Sequence, residues 1–285
     1  MIEGVNYENL SIIIVAYNPT QNIEFLLGEC CKIASQVIIV DNNSRNNEWI
    51  KELSNRFNIL YIRNTENFGI GKAINIGRCQ INNQSKRWIL TFDQDSCPPK
   101  DLLSSYNYVI KQENNIGLIG INFNSGVNKG GNNLKKYIYH ESLDQITSGL
   151  LHNIEIFDIV GKYNEKLFID CVDFEYSLRV RAYGFKTIMI LNCFLDHTIG
   201  SPKTITIGRL KIQSMNHSAF RQYYIVRNHI WIAKKYFRLF PKYILNKFYH
   251  LFIRVAKTML FDDYKQNKIK RICKGFIDGI KMNMD

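Results

Sequence analysis

The feature that most constrains the fold is a series of short apolar segments, each followed at once by a polar cluster. LSIIIVA (10–16) ends at Tyr17-Asn18, QVIIV (36–40) ends at Asp41-Asn42, and RWILTF (87–92) ends at Asp93-Gln94-Asp95. Continuous apolar runs of this length are typical of buried strands. Segments with helical spacing lie between them. The pattern therefore predicts βαβ units and a parallel sheet.

This alternation covers about the first 120 residues. The predicted strands are residues 10–16, 36–40, 58–62, 87–92 and 116–121. Residues 122–140 are rich in Asn and Gly and predict a loop or an irregular hairpin. Residues 144–151 and 186–191 then predict strands, 173–183 predict a helix, and the spacing is helical from about 215 onward. We expect an α/β fold with a mostly parallel central sheet flanked by helices, followed by a C-terminal helical extension.

The positive charge of the chain is concentrated at its end. The net charge is +12, yet residues 201–285 alone hold +14, with 18 basic residues against four acidic ones. This asymmetry indicates an acidic partner, either an anionic membrane surface or nucleic acid. Residues 244–260 place apolar and aromatic residues at helical spacing with basic residues between them. That pattern is typical of an interfacial membrane helix, or of a helix packed on the protein with a solvated basic face.

Composition excludes several other classes. Hydrophobic residues make up 46% and charged residues 22%, as in ordinary globular proteins. No run approaches the ~20 mostly apolar residues of a membrane-spanning helix, and the polar start MIEGVNYENL is unlike a signal peptide. The seven cysteines are odd in number and include no CxxC pair, so neither a zinc site nor a disulfide framework is predicted. We therefore expect a cytoplasmic protein.

The polar clusters at the strand ends are the first candidates for a functional site. Ligands of open α/β sheets bind at the carboxyl ends of the strands, so these clusters are expected on one rim. Asp93 and Asp95 lie two residues apart and can share Mg²⁺ or Mn²⁺, with phosphates and water in the remaining positions. Asp41 could accept a hydrogen bond from a base imide or a ribose hydroxyl, or it could be a turn residue.

Three further stretches could contribute chemistry. NFGIGKAINIG (67–77) resembles a phosphate-cradling glycine loop, although it lacks the dinucleotide-binding spacing; a helix entry is the other interpretation. Asp170, Asp173 and Glu175 lie close together beside aromatic residues. They suit a general base in a partly apolar pocket, or the acidic first turn of a helix. His197 follows a predicted strand and could complete a metal site, or it could be structural.

In this order, the stretches resemble the inverting glycosyltransferases of family 2, which have the GT-A fold. The resemblance covers about residues 10–200, and its carriers are SIIIVAYN, VIIVDNNS, NFGIGKAINIG, ILTFDQDS, SGLL, FIDCVDFEYSLR and DHTIG. DQDS and FIDCVDFEY, with RQYYIVRN (221–228), are similar to the bacterial rhamnosyltransferase branch. The resemblance implies a GT-A (Rossmann-like) domain, which we expect over 1–210. Residues 211–285 remain as a basic, aromatic-rich helical extension.

The resemblance also implies roles for the candidate residues. Asp173 is the catalytic base, with Asp170 and Glu175 as weaker candidates, and Asp95 and His197 ligate Mg²⁺ or Mn²⁺. Where many relatives have two adjacent acids at the base, this chain has a single one. Eight residues are assigned to the nucleotide-sugar: Ala16, Asn18, Asp41, Asn67, Gly69, Lys72, Asp93 and Gln94.

The implied function is metal-dependent, inverting transfer of rhamnose from dTDP-rhamnose to a growing, lipid-linked bacterial surface polysaccharide. The enzyme would lie on the inner face of the cell membrane. Such a transfer needs a cation to stabilise the leaving diphosphate and a base within reach of the acceptor hydroxyl. Three alternatives stay open: transfer of another hexose from a UDP-sugar, nucleotidyl transfer without a base at Asp173, and nucleic-acid binding by the basic C-terminal region.

Overall fold

The computed structural model describes two compact parts of the chain. It describes residues 3–82, 85–124, 136–197, 203–207, 210–214 and 216–284, with the backbone alone at 124, 196–197, 203–207 and 210–213. The larger part, here called the sheet unit, comprises Met1–Lys166 and Val172–Thr198. The smaller part, the helical unit, comprises Leu167–Cys171 and Ile199–Asp285.

The described residues of the sheet unit form nine strands. They are β1 (Leu10–Ala16), β2 (Gln36–Asp41), β3 (Leu60–Arg63), β4 (Trp88–Asp93), β5 (Ser96–Cys97), β6 (Ile116–Asn124), β7 (Tyr139–Glu141), β8 (Leu150–Asn153) and β9 (Lys186–His197). Their order is β3-β2-β1-β4-β8-β6-β9-β5, and β7 also pairs with β9. The first four strands are mutually parallel, as are β6 and β9, whereas β8, β5 and β7 run antiparallel to their neighbours.

Within the described ranges, six α-helices belong to the sheet unit and three to the helical unit. The first six are α1 (Asn22–Ile33), α2 (Asn47–Arg56), α3 (Ile70–Arg78), α4 (Leu102–Gln112), α5 (Ile154–Val160) and α6 (Val172–Ala182). The helical unit holds the hairpin β10 (Lys203–Ile207) and β11 (Leu210–Ser214), followed by α7 (Ala219–Tyr236), α8 (Pro241–Phe261) and α9 (Lys265–Lys281).

The central strands are apolar throughout because helices cover both faces of the sheet. In β1, Ile12 and Ile14 point into the core that α1 also fills, while Ile13 points to the opposite face. There α3 comes so close that a Cβ on Gly77 would lie 2.7 Å from the Ile13 side chain. All three isoleucines are fully buried. Burial on both faces explains the runs without polar alternation from which the sheet was predicted.

The predicted mostly parallel α/β architecture is confirmed, with one wrong strand assignment. The chain forms no strand over 144–149; β8 begins only at Leu150, and α5 follows it directly. Gln145 and Ser148 are buried through side-chain hydrogen bonds rather than through a ladder, and Gly149 turns with a φ of 69°. These buried polar residues mimic the alternation of a strand. The β10–β11 hairpin was not predicted.

The helical unit is held together by the close approach of α7 and α9. A Cβ on Gly275 would lie 2.5 Å from the carbonyl oxygen of Tyr223, and one on Gly279 would lie 2.6 Å from that of Arg227. The two glycines thus let the helix backbones meet directly. Along the part of the chain that the structure describes, no helix is both long and apolar enough to cross a membrane.

Replacing Gly279 by Ala is expected to destabilise the protein. At an exposed position inside a helix, replacing Gly by Ala raises the free energy of unfolding by up to ~1 kcal/mol. Here the methyl group meets the α7 backbone, and overpacking of this kind costs about 1–3 kcal/mol. Chemical denaturation of the variant and of an exposed control on the same helix, Lys274→Ala, provides the measurement. Equal or higher stability of Gly279→Ala would contradict the close helix contact.

Candidate active site

The carboxyl ends of β1, β2 and β4 form one edge of the sheet. Ala16 is the register partner of Asp41, and the Asn42 N–H donates to the Ala16 carbonyl at 2.8 Å. Gln94, just after β4, reaches across to the end of β1. Its Oε1 accepts from the Tyr17 N–H at 2.6 Å, and its amide nitrogen donates to the Tyr17 carbonyl at 3.2 Å. The predicted rim is thus assembled by direct hydrogen bonds.

Asp41 organises the turn after β2. It is fully buried, and its Oδ1 accepts from both the N–H, at 2.9 Å, and the hydroxyl of Ser44. Its Oδ2 accepts from the Tyr61 hydroxyl at 2.8 Å, and burial together with this bond raises the pKa of Tyr61. Asn18 joins the same turn, since its N–H donates to Ser44 Oγ and its Oδ1 accepts from the Arg45 N–H, each at 2.8 Å. The turn role of Asp41 is therefore visible in the structure.

The glycine loop before α3 is attached to this edge. Gly69 has a φ of 83°, a conformation that favours glycine, and its N–H donates to Asn67 Oδ1 at 3.0 Å. The Asn42 amide donates to the Gly69 carbonyl at 3.2 Å. Lys72, in the first turn of α3, places its ammonium group 3.8 Å from the ring centroid of Phe68. The loop thus brings a cation and the start of a helix to the carboxyl end of β2.

Asp93 is held at the end of β4 by the segment before β8. Its N–H donates to Ser148 Oγ at 3.2 Å, and its Oδ1 accepts from the Thr147 hydroxyl at 3.4 Å. Thr147 and Ser148, the latter being the first residue of the SGLL stretch, therefore orient the first acid of the DQD cluster.

The β5–β9 pairing brings the two predicted metal ligands near each other along the backbone. Ser96, which follows Asp95, is the register partner of His197. The His197 side chain lies outside the description, and no group of three or more potential metal ligands occurs among the side chains described. Two carboxylates and an imidazole are donors that suit Mg²⁺ or Mn²⁺ when a diphosphate and water supply the remaining oxygens. The residues present therefore fit such an ion.

The predicted base lies in the first turn of α6. Asp173 is half-buried, and its Oδ1 accepts from the Phe174 N–H at 2.9 Å. Glu175 is 1% exposed and forms an ion pair of 2.9 Å with Arg179 one turn later. Glu175 therefore stabilises α6 from inside, whereas Asp173 is the acid of this helix that remains partly open to solvent.

The glycine loop and the base-bearing helix are in direct contact. A Cβ on Gly71 would lie 3.2 Å from Val172 Cγ1 and 3.3 Å from Tyr163 Cβ. Asn75, further along α3, donates to the Tyr163 carbonyl at 3.0 Å and accepts from the Tyr163 N–H at 2.9 Å. Because Asp173 follows Val172 directly, it lies close to the loop that was predicted to hold phosphate.

A cluster of aromatic side chains packs against α6. The rings of Tyr163 and Tyr176 stack with centroids 4.1 Å apart, and the Tyr163 hydroxyl lies 2.7 Å from His152 Nε2. Burial lowers the pKa of His152 to about 4, so its imidazole is neutral at physiological pH. Three separate segments contribute these residues, and neither spacing nor motif indicated that they would meet.

The segment just before α6 has an uncommon backbone conformation. Phe168, Asp170 and Cys171 have φ values of 62°, 61° and 62°, a region that costs free energy for residues other than glycine. This segment belongs to the helical unit, where α7 holds it in place. The guanidinium of Arg221 binds the Asp170 carboxylate through Nε at 3.0 Å and Nη2 at 3.0 Å. Asp170 is therefore an ion-paired residue of the helical unit.

Asn228 forms hydrogen bonds with the backbone carbonyls of the same segment. It is fully buried, and its amide nitrogen donates to the carbonyls of Leu167, Ile169 and Asp170 at 2.9, 2.8 and 2.8 Å. Arg221 and Asn228 are the residues that our sequence reasoning missed. RQYYIVRN marks the subgroup in the sequence, but the partners of these two residues, a carboxylate 51 positions away and three backbone carbonyls, leave no pattern there.

The sheet order and the polar edge at its carboxyl ends have the architecture of the GT-A fold. Residues 11–164, more than half of the chain, match the family model for glycosyl transferase family 2. The chain belongs to glycosyltransferase family 2 and is a glycosyltransferase. Membership in this family supports the transferase hypothesis over nucleic-acid binding.

Individual proteins of known activity or structure are also similar to this chain. The chain is 32% identical over 243 residues to the dTDP-rhamnosyl transferase RfbF of Shigella flexneri, covering 80% of each protein. Its fold resembles the mannosyltransferase PcManGT from Pyrobaculum calidifontis in complex with GDP-Man and Mn²⁺ (TM-score 0.56, 12% identity, 97% of this chain and 76% of that one). It also resembles S. aureus TarS (TM-score 0.60, 15% identity, 95% and 49%). The predicted likeness to bacterial rhamnosyltransferases is confirmed.

We expect Asn228→Asp to destabilise the protein strongly. The substitution keeps the shape of the side chain but turns a carboxylate oxygen toward three carbonyl oxygens in a buried position. A buried carboxylate that faces carbonyl oxygens costs about 3 kcal/mol or more, although Arg227 Nε, which donates to Asn228 Oδ1 at 2.9 Å, would still contact its other oxygen. The free energy of unfolding should fall far less in the control Asn246→Asp, which makes the same change at an exposed position of α8. Equal stability of the two variants would show that Asn228 does not hold the segment.

Proposed function

We propose that this glycosyltransferase transfers rhamnose from dTDP-rhamnose, with inversion, to a hydroxyl group of a lipid-linked polysaccharide under assembly. The observation that carries the proposal is the contact of Gly71 with Val172, because it joins the predicted donor loop to the start of the helix that bears Asp173. The relative named as a dTDP-rhamnosyl transferase supports rhamnose as the sugar.

The donor binds along the edge formed by β1, β2 and β4. Asp41 acts mainly by shaping the turn that surrounds the nucleoside, since its carboxylate is already engaged by Ser44 and Tyr61. Lys72 and the N-terminal end of α3 attract the diphosphate. The complete set of donor residues is Ala16, Asn18, Asp41, Asn67, Gly69, Lys72, Asp93 and Gln94.

Asp95 and His197 hold Mg²⁺ or Mn²⁺ in this proposal. The bound ion supplies neutralisation of the charge that develops on the leaving diphosphate. The support is the register of β5 with β9, the donor chemistry of the two side chains, and the Mn²⁺ bound with GDP-Man in the mannosyltransferase of similar fold.

Asp173 acts as the general base. It takes the proton of the acceptor hydroxyl as that oxygen bonds to the anomeric carbon, while the bond from that carbon to the diphosphate breaks on the opposite face. dTDP leaves, and the configuration at the anomeric carbon is inverted. Asp170 is a weaker candidate because the guanidinium of Arg221 already occupies its carboxylate.

We further propose that residues 1–210 perform the transfer and that residues 211–285 attach the enzyme to the inner face of an anionic membrane. The support is the net charge of +14 over residues 201–285 and an exposed apolar stripe on α8. The side chains of this stripe are 45–73% exposed and comprise Leu245, Tyr249, Phe252, Met259 and Leu260. An apolar face flanked by cations is typical of helices that lie in the membrane interface.

The donor and the metal are tested together by ligand-induced stabilisation. dTDP-rhamnose with Mn²⁺ is expected to raise the unfolding temperature more than UDP-GlcNAc or GDP-mannose, because a ligand that binds only the folded state stabilises it. Chelator, or Asp95→Ala, should remove most of this stabilisation and the transfer activity. The control Glu52→Gln removes an exposed carboxylate on α2 and should retain both. A response to UDP-sugars alone would refute the rhamnose donor.

Loss of the base should affect turnover rather than donor binding. Asp173→Asn keeps the size of the side chain and removes its basicity, which typically costs 10²–10⁴-fold in rate, so kcat should fall by about this factor. The affinity for dTDP-rhamnose should stay within about twofold of wild type, because Asp173 contacts the acceptor in this mechanism. Asp170→Asn provides the comparison. An inactive Asp170→Asn that remains folded, alongside an active Asp173→Asn, would move the base to Asp170.

A further inference from the structure

The helical unit contains a cavity that the transfer reaction does not use. Its volume is about 220 Å³, and it opens between the end of β11, the start of α7 and the middle of α8. It is lined by Ser214, Asn216, His217, Gln222, His250, Ile253, Arg254, Lys257 and Thr258. This lining includes four cationic or imidazole side chains and no carboxylate.

Acids next to the cavity lower its positive charge but do not exceed it. Asp262 is buried and bound by Lys268 at 2.9 Å and by the Ser214 hydroxyl, and Asp170 is paired with Arg221. Asp263 accepts from the amide of Asn216, a lining residue, at 3.0 Å. Because Arg254 and Lys257 both line the cavity, their two positive charges exceed the single negative charge of Asp263, and the cavity keeps a positive potential.

His217 responds to this potential. Burial, followed by the charges of Arg221 and Arg254, lowers its pKa to about 4, against the opposing effect of Asp170 and Asp262. The imidazole is thus neutral at physiological pH and can still donate one hydrogen bond. A bound anion would accept hydrogen bonds from this imidazole and from Arg254 and Lys257 of α8.

Gln222 supplies a buried polar group without a partner. The residue is 2% exposed, its amide nitrogen donates to Thr258 Oγ1 at 2.9 Å, and its Oε1 lacks a hydrogen-bond partner among the residues described. Turning the amide by 180° lets the Thr258 hydroxyl donate to Oε1 and leaves the NH₂ group unpaired instead. A ligand in the cavity could satisfy this group, which otherwise costs about 1–3 kcal/mol.

The cavity also lies beside the apolar stripe of α8. His250, Arg254 and Lys257 occupy one face of the helix, and the stripe that contains Phe252 occupies the adjacent one, as the helical period requires. An amphipathic ligand could therefore place its anionic group in the cavity and its chains along the stripe.

We infer that this cavity binds the phosphoryl headgroup of a membrane lipid whose chains cover the apolar stripe of α8. A phosphoryl group suits it better than a carboxylate, because several oxygens can accept from Arg254, Lys257, His217 and the amide of Gln222 together. The inference rests on the proposed membrane association and is independent of the donor and of Asp173.

Vesicle binding of the full chain tests the lipid. Wild type is expected to bind phosphatidylcholine vesicles that contain phosphatidic acid about tenfold more tightly than vesicles with phosphatidylglycerol at equal surface charge, the difference expected from one or two charge-assisted hydrogen bonds. Arg254→Gln and Lys257→Gln should abolish this preference. Lys242→Gln removes the same charge from an exposed position of α8 outside the cavity and should keep it.

A soluble ligand separates the possible sources of the phosphoryl group. Inorganic pyrophosphate should raise the unfolding temperature of wild type more than sulfate does at equal ionic strength. The proposed donor edge can also bind diphosphates, so the contribution of the cavity is the part of this increase that Arg254→Gln removes. If Arg254→Gln removes part of the increase but wild type shows no preference for phosphatidic acid, the lipid assignment is overturned in favour of free phosphate. If Arg254→Gln, Lys257→Gln and Lys242→Gln all lose the same amount of vesicle binding, the cavity is not the binding site and general surface charge explains the binding.

The same variants distinguish this inference from the proposed function. Stabilisation by dTDP-rhamnose is measured for wild type and for Arg254→Gln, which should respond equally. An intact preference for phosphatidic acid with no response to any sugar nucleotide would refute the donor and leave the lipid site standing.

Discussion

The parallel pairing of β1 with β2 and β4 is the constraint on which the rest of the sheet unit depends. Parallel strands direct all their carboxyl ends to one edge, so the polar residues that follow them must share it. The amide of Gln94 and the backbone of Tyr17 then tie the ends of β1 and β4 together. Asn42 does the same between β1 and the glycine loop. The polar edge, where we propose that the donor binds, is a direct consequence of strand direction.

Small residues determine how closely the helices approach this frame. Gly77 lets α3 lie against Ile13, and Gly71 lets the same helix meet Val172 at the start of α6. Through α3, the sheet edge and the proposed base are thus parts of one packed assembly. The aromatic cluster around Tyr163 and the buried ion pair of Glu175 with Arg179 also support α6.

The helical unit combines local support with an exposed, cationic surface. Arg221 and Asn228 hold the segment 167–171, which leads directly into α6 and whose backbone has three left-handed residues. The same unit carries most of the positive charge and the apolar stripe of α8. The match to family 2, over residues 11–164, lies within the sheet unit, whereas the helical unit lies outside it.

The sequence by itself determined the buried strands, the polar residues at their ends and the position of Asp173 in the first turn of a helix. These features are local, because a strand buried on both faces must be apolar and its end must become polar. Tertiary structure alone decided the antiparallel insertion of β8, the interaction of Asn228 with three carbonyls and the cavity beside Arg254. Each of these depends on contacts between distant segments or with backbone atoms, which carry no signature in residue order. The error over 144–149, where a strand was predicted that begins only at Leu150, has the same cause, since the buried hydrogen bonds of Gln145 and Ser148 can be seen only in the fold.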